Sequence, residues 1–182
     1  MNELSKYYDK VLMTEEEIQK MVARLGAEIT RDYSGKKLFL ICVLKGGFVF
    51  MADLVRAIDL PLEVDFIAVS SYGSSTKTSG VVRLLKDIDK PLNDKHVLIV
   101  EDIMDSGLTL NYIKSMFVNR NPLSVKVCTA FDKPERRKVD ITPDYVGAII
   151  PDEFVIGYGL DYDGILRNLP DLCILKRDIY EK

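Results

Sequence analysis

Apolar residues recur along the chain with two different periods, and stretches of the two kinds alternate. Ile18, Met21, Val22, Leu25 and Ile29 fall three or four positions apart, which places them on one stripe of a helix. Thr14 and Glu17 stand ahead of that stripe as a capping box and Gly35 follows it, so the pattern predicts an amphipathic helix over residues 15–33. Leu38 to Leu44 is an unbroken apolar run of the length of a strand buried on both faces. It ends in Lys45-Gly46-Gly47, after which Phe48, Met51, Leu54, Val55 and Ile58 return to helical spacing. Leu62 to Ser71 and Val81 to Leu85 predict two more strands, joined by a polar connector rich in Ser and Gly from Tyr72 to Gly80. Val97 to Val100 predicts a buried strand, and Leu110, Ile113, Met116 and Phe117 a helix after it. Val125 to Phe131 and Tyr145 to Ile150 complete the core strands, while Leu172 to Leu175 closes either the sheet or a small lobe. Residues 1–13 show no clear period and either pack late or join that lobe, and residues 176–182 read as a solvated tail.

Strands that alternate with helices point to an α/β fold with a central, mostly parallel sheet flanked by helices. Composition narrows the picture further. At 182 residues, 47% apolar and 29% charged, the chain suits one globular domain. A net charge of −3, from 25 basic and 28 acidic residues, gives no basic excess for nucleic acid and favours a small phosphorylated ligand. Cys42, Cys128 and Cys173 sit inside apolar runs without metal-ligand spacing and read as reduced core residues. That odd count, with no signal-peptide pattern and no 18-residue apolar stretch, predicts a cytoplasmic protein with no membrane association. His96, the single histidine, cannot build a multi-histidine metal site and reads as structural.

The chemistry concentrates between residues 97 and 110. After the strand come Glu101 and Asp102, then Asp105, Ser106, Gly107, Leu108 and Thr109, before the helix begins. The polar cluster therefore reads as a strand-to-helix turn at the carboxyl edge of the sheet, where ligands bind and backbone N–H groups favour an anion. Two carboxylates beside an anion cradle would repel bare phosphate. The site becomes consistent when they accept from sugar hydroxyls, bind a divalent cation, or both, and a phosphorylated ribose with Mg²⁺ meets each demand. Asp105 is either a general base or a helix cap. Gly46-Gly47 lacks the spacing of a Walker loop or a dinucleotide fingerprint, and is either a tight turn or a second anion loop.

On these residues the stretch resembles the phosphoribosyl-diphosphate motif of the purine phosphoribosyltransferases: an apolar run, two acids, two apolar residues, then Asp-Ser/Thr-Gly-x-Thr. The resemblance runs in order through most of the chain and implies the type I, Rossmann-like fold, with a core of about residues 36–150. A hood built from the N-terminal residues and about 151–182 would cover it. It implies transfer of the phosphoribosyl group from phosphoribosyl diphosphate to N9 of hypoxanthine or guanine, giving IMP or GMP with Mg²⁺ as cofactor, in a homodimer or homotetramer. It further implies that Glu101 and Asp102 face the ribose and the metal, with Asp161 a further metal candidate. Residues 105–109 would hold the 5′-phosphate, Lys45, Gly46 and Arg167 the pyrophosphate, and Lys133, Phe154, Val155 and Asp161 the purine. Ser71 and Tyr72 would open a mobile loop, and a cis peptide would link Leu44 to Lys45. Read without the family, Lys133 is solvated and Phe154 a core residue. Leu108 departs from members that carry lysine there, which would alter affinity rather than reaction type. The cluster Arg136-Arg137-Lys138 suggests only solvated contacts. Two other classes remain open from the residues, a receiver-type signalling domain and a regulator of this fold that binds nucleic acid.

Overall fold

A computed structural model describes residues 3–71 and 82–181. Among them the chain runs β1 (Tyr8–Met13), α1 (Glu15–Asp32), β2 (Leu38–Leu44), α2 (Phe48–Ala57), β3 (Leu62–Ser71) and β4 (Val82–Lys86). It continues through β5 (His96–Met104), α3 (Leu108–Val118), β6 (Ser124–Asp132), β7 (Tyr145–Ile149), β8 (Val155–Ile156), β9 (Leu172–Leu175) and α4 (Arg177–Tyr180). The larger sheet has the order β4-β3-β2-β5-β6-β7, parallel throughout except for β4, which runs antiparallel to β3.

Each strand of the parallel core sends alternate side chains to opposite faces. Leu40, Cys42, Leu98, Val100 and Cys128 meet α1 and α2 on one side. Phe39, Ile41, Val97, Ile99 and Val127 meet Leu110, Ile113 and Phe117 of α3 on the other. Both faces are covered, which is why these strands read as continuous apolar runs. The expected capping box starts α1: the Thr14 side chain accepts from the Glu17 N–H at 3.3 Å, and the Thr14 N–H donates to Glu17 at 2.8 Å.

Sheet order positions the site. From β2 the chain passes to β3 on one side and later to β5 on the other, so the loops after β2 and β5 diverge from adjacent strand ends and leave a crevice between them. Over that edge sits a second, antiparallel sheet, β1-β9-β8, with Ile156, Leu166, Leu169, Cys173 and Leu175 as its own small core.

Residues 8–13 join the small lobe as β1, whose register with β9 shifts twice and hides any alternation. Two expectations change here. Glu101 and Asp102 lie within β5 rather than in the turn, because β6 continues to pair as far as Met104↔Asp132. The tail is not simply solvated, since residues 177–180 form α4. Ser71 ends β3 opposite Val82, while Tyr72 and the rest of the connector lie outside the described residues.

Candidate active site

Strand β5 carries its apolar run into the core and delivers two carboxylates to its end. Glu101 and Asp102 are each 8% exposed, and among the described residues no cationic side chain pairs with either. Asp102 is fixed by accepting the Ile103 N–H at 2.8 Å. Burial, reinforced by the adjacent Asp102 charge, pushes the Glu101 carboxyl well above the usual carboxylate range. Beyond Met104 the chain turns through Asp105, Ser106 and Gly107 into α3. Gly107 takes φ +80°, and a Cβ there would fall 2.7 Å from Ile141, so the turn requires glycine twice over. A cavity of about 240 Å³ opens along this turn, with Glu101, Asp102, Asp105, Ser106, Gly107 and Thr109 in its wall. Leu108 is not part of that wall and begins α3 instead.

The loop after β2 lies against the acids. Its first peptide, Leu44–Lys45, is cis, as the resemblance implied. A Cβ added to Gly46 would sit 1.6 Å from Asp102 Oδ2, and one added to Gly159 would sit 2.3 Å from the Gly46 carbonyl oxygen. The acidic strand end, the glycine loop and the hood therefore stack in that order. Lys45 is exposed beside them. Arg167 holds the hood segment in place by donating to the Gly159 carbonyl at 2.6 Å and pairing with Asp161, which also accepts the Gly164 N–H at 2.8 Å.

A second cavity, of about 540 Å³, joins the first through shared residues Ile103 and Asp105. Lys133, Phe154, Val155 and Asp161 line it. Lys133 is 7% exposed rather than solvated, and its Nζ donates to the Glu153 carbonyl at 2.6 Å. Burial draws its ammonium below the ordinary lysine value, against the pull of Asp105 and Asp152. Phe154 is 40% exposed toward the cavity, not a core residue.

The basic cluster needs the largest correction. Arg136 donates to the Asp105 carboxylate and, at 3.1 and 3.2 Å, to both Asp152 oxygens. Arg137 donates to the carbonyls of Met104, at 3.2 Å, and Asp105, and pairs with Asp132. Both arginines thus brace the anion loop from the end of β6, and Tyr180 of α4 enters the second cavity as well. The surplus of acids around residues 101–105 was the signal in the chain that basic partners had to come from elsewhere.

The phosphoribosyl transferase domain family matches residues 12–163. A hypoxanthine-guanine phosphoribosyltransferase of Bacillus subtilis is 52% identical over 173 residues, covering 95% of this chain and 96% of its own length. One of Streptococcus thermophilus is 49% identical over 179 residues, 98% of this chain and 99% of that protein. Among solved structures, a Staphylococcus aureus hypoxanthine phosphoribosyltransferase superposes with a TM-score of 0.96 at 45% identity, with all of both chains covered. With its parallel sheet, its acid-and-glycine crevice and this match over most of its length, the chain belongs to the phosphoribosyltransferase family.

Proposed function

We propose that the protein works in purine salvage, transferring the 5-phosphoribosyl group from phosphoribosyl diphosphate to N9 of hypoxanthine or guanine and releasing pyrophosphate with IMP or GMP. The observation that carries this reading is the pair of joined cavities, one walled by acids and an anion loop, the other by a buried lysine and an exposed aromatic ring. A sugar phosphate and a planar base attached at its C1 fit them in that order. The relatives lend no support to a receiver domain or a nucleic-acid regulator.

The turn at residues 105–109 would take the 5′-phosphate on backbone N–H groups and the hydroxyls of Ser106 and Thr109, with the N-terminus of α3 behind them. Glu101 and Asp102 face the ribose hydroxyls, and Lys45, the Gly46 amide and the free N–H groups of Arg167 face the diphosphate. As the C1–O bond stretches, the sugar gains oxocarbenium character and the leaving group gains negative charge, which those donors stabilise. Lys133 donates to O6 of the purine, Phe154 stacks on its face, and the Val155 backbone and Asp161 read its edge. Asp105, beside both cavities, accepts the proton from N7.

The chain's own donors also suit Mg²⁺. Among the described residues no group of three or more His, Cys, Asp or Glu side chains could enclose a metal. Two buried carboxylates without a cationic partner match an ion that takes one or two protein oxygens and completes its shell with substrate phosphates and water. When bound, the ion would neutralise charge on the departing diphosphate; Glu101 and Asp102 would hold it, with Asp161 a further candidate.

A homodimer or homotetramer in the cytoplasm fits the reading, and no helix among the described residues is long and apolar enough to cross a membrane. The deciding experiment offers hypoxanthine, guanine and xanthine in turn with phosphoribosyl diphosphate and Mg²⁺, follows the ultraviolet change, and identifies the product by mass. Nucleotide formed from hypoxanthine or guanine supports the assignment; no nucleotide from any of them overturns it.

A further inference from the structure

The terminal helix places an aromatic ring where the proposed reaction has not yet used one. Tyr180 stacks on Phe154, with ring centroids 5.1 Å apart and planes 28° from parallel, and Tyr162 meets the same phenyl ring edge-on at 5.8 Å. Four residues of helix cannot hold themselves in place. Contacts with the hood do so instead. The Tyr162 hydroxyl donates to the Ile179 carbonyl at 3.0 Å, the Lys176 N–H donates to the Tyr7 carbonyl at 3.0 Å, and the Arg177 guanidinium lies 3.8 Å from the Glu153 carboxylate. Tyr180 also lines the cavity that contains Lys133 and Phe154.

We propose that Tyr180 is a positioning residue for the purine: it covers the face of Phe154 turned away from the base and fixes that ring as a stacking platform. The proposal rests on the base-stacking role given to Phe154 above. A separation of 5.1 Å leaves no space for a third ring between the two, since a sandwiched base needs about 7 Å, two contact distances of ~3.5 Å. The base therefore takes the opposite face of Phe154, within the cavity that Ile103 and Lys133 also line. Phe154 is 40% exposed, and without Tyr180 the one aromatic contact left to its ring among the described residues is the edge of Tyr162. An incoming base would then have to order that ring itself, and the cost falls on purine affinity rather than on the diphosphate site.

Steady-state kinetics with each substrate varied separately test this in the full chain. Tyr180→Ala should raise the purine KM about three- to tenfold, the weight of one aromatic pair, while kcat and the phosphoribosyl-diphosphate KM stay within about twofold. Tyr180→Phe should behave as wild type, because the stack needs the ring and not the hydroxyl. Tyr180→Leu keeps apolar bulk without the flat ring and should match the alanine variant, which makes the test possible should Tyr180→Ala not fold. An unchanged purine KM overturns the proposal, as does a lowered one, which would mean that Tyr180 occupies the seat of the base. So does an equal loss for both substrates, the mark of a merely structural role. A wild type that forms no nucleotide is a separate result: it removes the function, and the proposal with it.

Discussion

Asp105 stands between two cavities and touches an arginine, so its role can be separated from its place in the loop. Arg136 already satisfies part of the carboxylate and ties it to Asp152 across the mouth of the second cavity. Asp105→Asn keeps the size and the hydrogen-bonding oxygen but cannot accept a proton. Its expected effect is a kcat about 10² to 10⁴ lower with the phosphoribosyl-diphosphate KM and the melting temperature nearly unchanged; an unaltered kcat would leave Asp105 as a loop residue only. Gly46 makes a different kind of demand. A methyl group there would meet the buried Asp102 carboxylate, and Gly159 packs close to the glycine's own carbonyl, so the loop or the carboxylate must shift to admit it. Gly46→Ala should cost about 1–3 kcal/mol and lower the melting temperature by several degrees, with a higher phosphoribosyl-diphosphate KM. A variant that melts with wild type would mean that the loop is not packed between the acids and the hood. The acids and the glycine loop could be read in the chain because their chemistry is local and unusual. Arg136 and Arg137 could not, because two arginines after a strand look solvated until the fold brings Asp105, Asp132 and Asp152 around them.

Elements were legible where their signals are local. Helix α1 carries its own cap and stripe, and β2 is a pure apolar run, so both emerge within a residue of their expected bounds. Strand β1 announces nothing of the kind, since its partner β9 lies at the other end of the chain and two register shifts break the alternation. Strand β5 was legible as far as Val100 but extends to Met104, because pairing with β6 overrides the polarity of its last residues. At its first residue, His96 lies 2.8 Å from Ser124 Oγ of β6 through Nδ1. Burial lowers its pKa below the ordinary 6.5, so the folded state favours the neutral ring. That contribution to stability is complete above 6.5 and is lost as pH falls through the lower folded-state value. In urea titrations at a series of pH values, wild type should lose stability on acidification by a component that His96→Gln lacks. Parallel curves for the two proteins would remove His96 from the acid response.

At the scale of the whole molecule, the sheet order opens a crevice at adjacent strand ends and the antiparallel hood closes it from above, with Gly159 on Gly46 as the point of contact. The proposed diphosphate and purine groups therefore each meet protein from segments remote in sequence, Lys45 and Gly46 with Arg167 for the one and Lys133 with Phe154 and Asp161 for the other. The metal differs, since Glu101 and Asp102 come from one strand, the further candidate Asp161 is paired with Arg167, and no larger donor cluster exists among the described residues. Two oxygens cannot hold Mg²⁺ tightly, and the remainder of its shell must come from the diphosphate and from water. Metal and sugar diphosphate should consequently bind as a unit. Thermal melts check this in four conditions. Mg²⁺ alone should leave the melting temperature of the free protein where it was, and phosphoribosyl diphosphate with a chelator should raise it little. The two together, at about 100 times the dissociation constant, should add about 2.7 kcal/mol, or roughly 5–10 °C for a chain of this size. A full shift from Mg²⁺ alone would mean that the protein carries a preformed metal site. A shift indifferent to the chelator would confine Glu101 and Asp102 to the ribose hydroxyls, and the diphosphate charge would then fall on Lys45, Arg167 and the glycine loop.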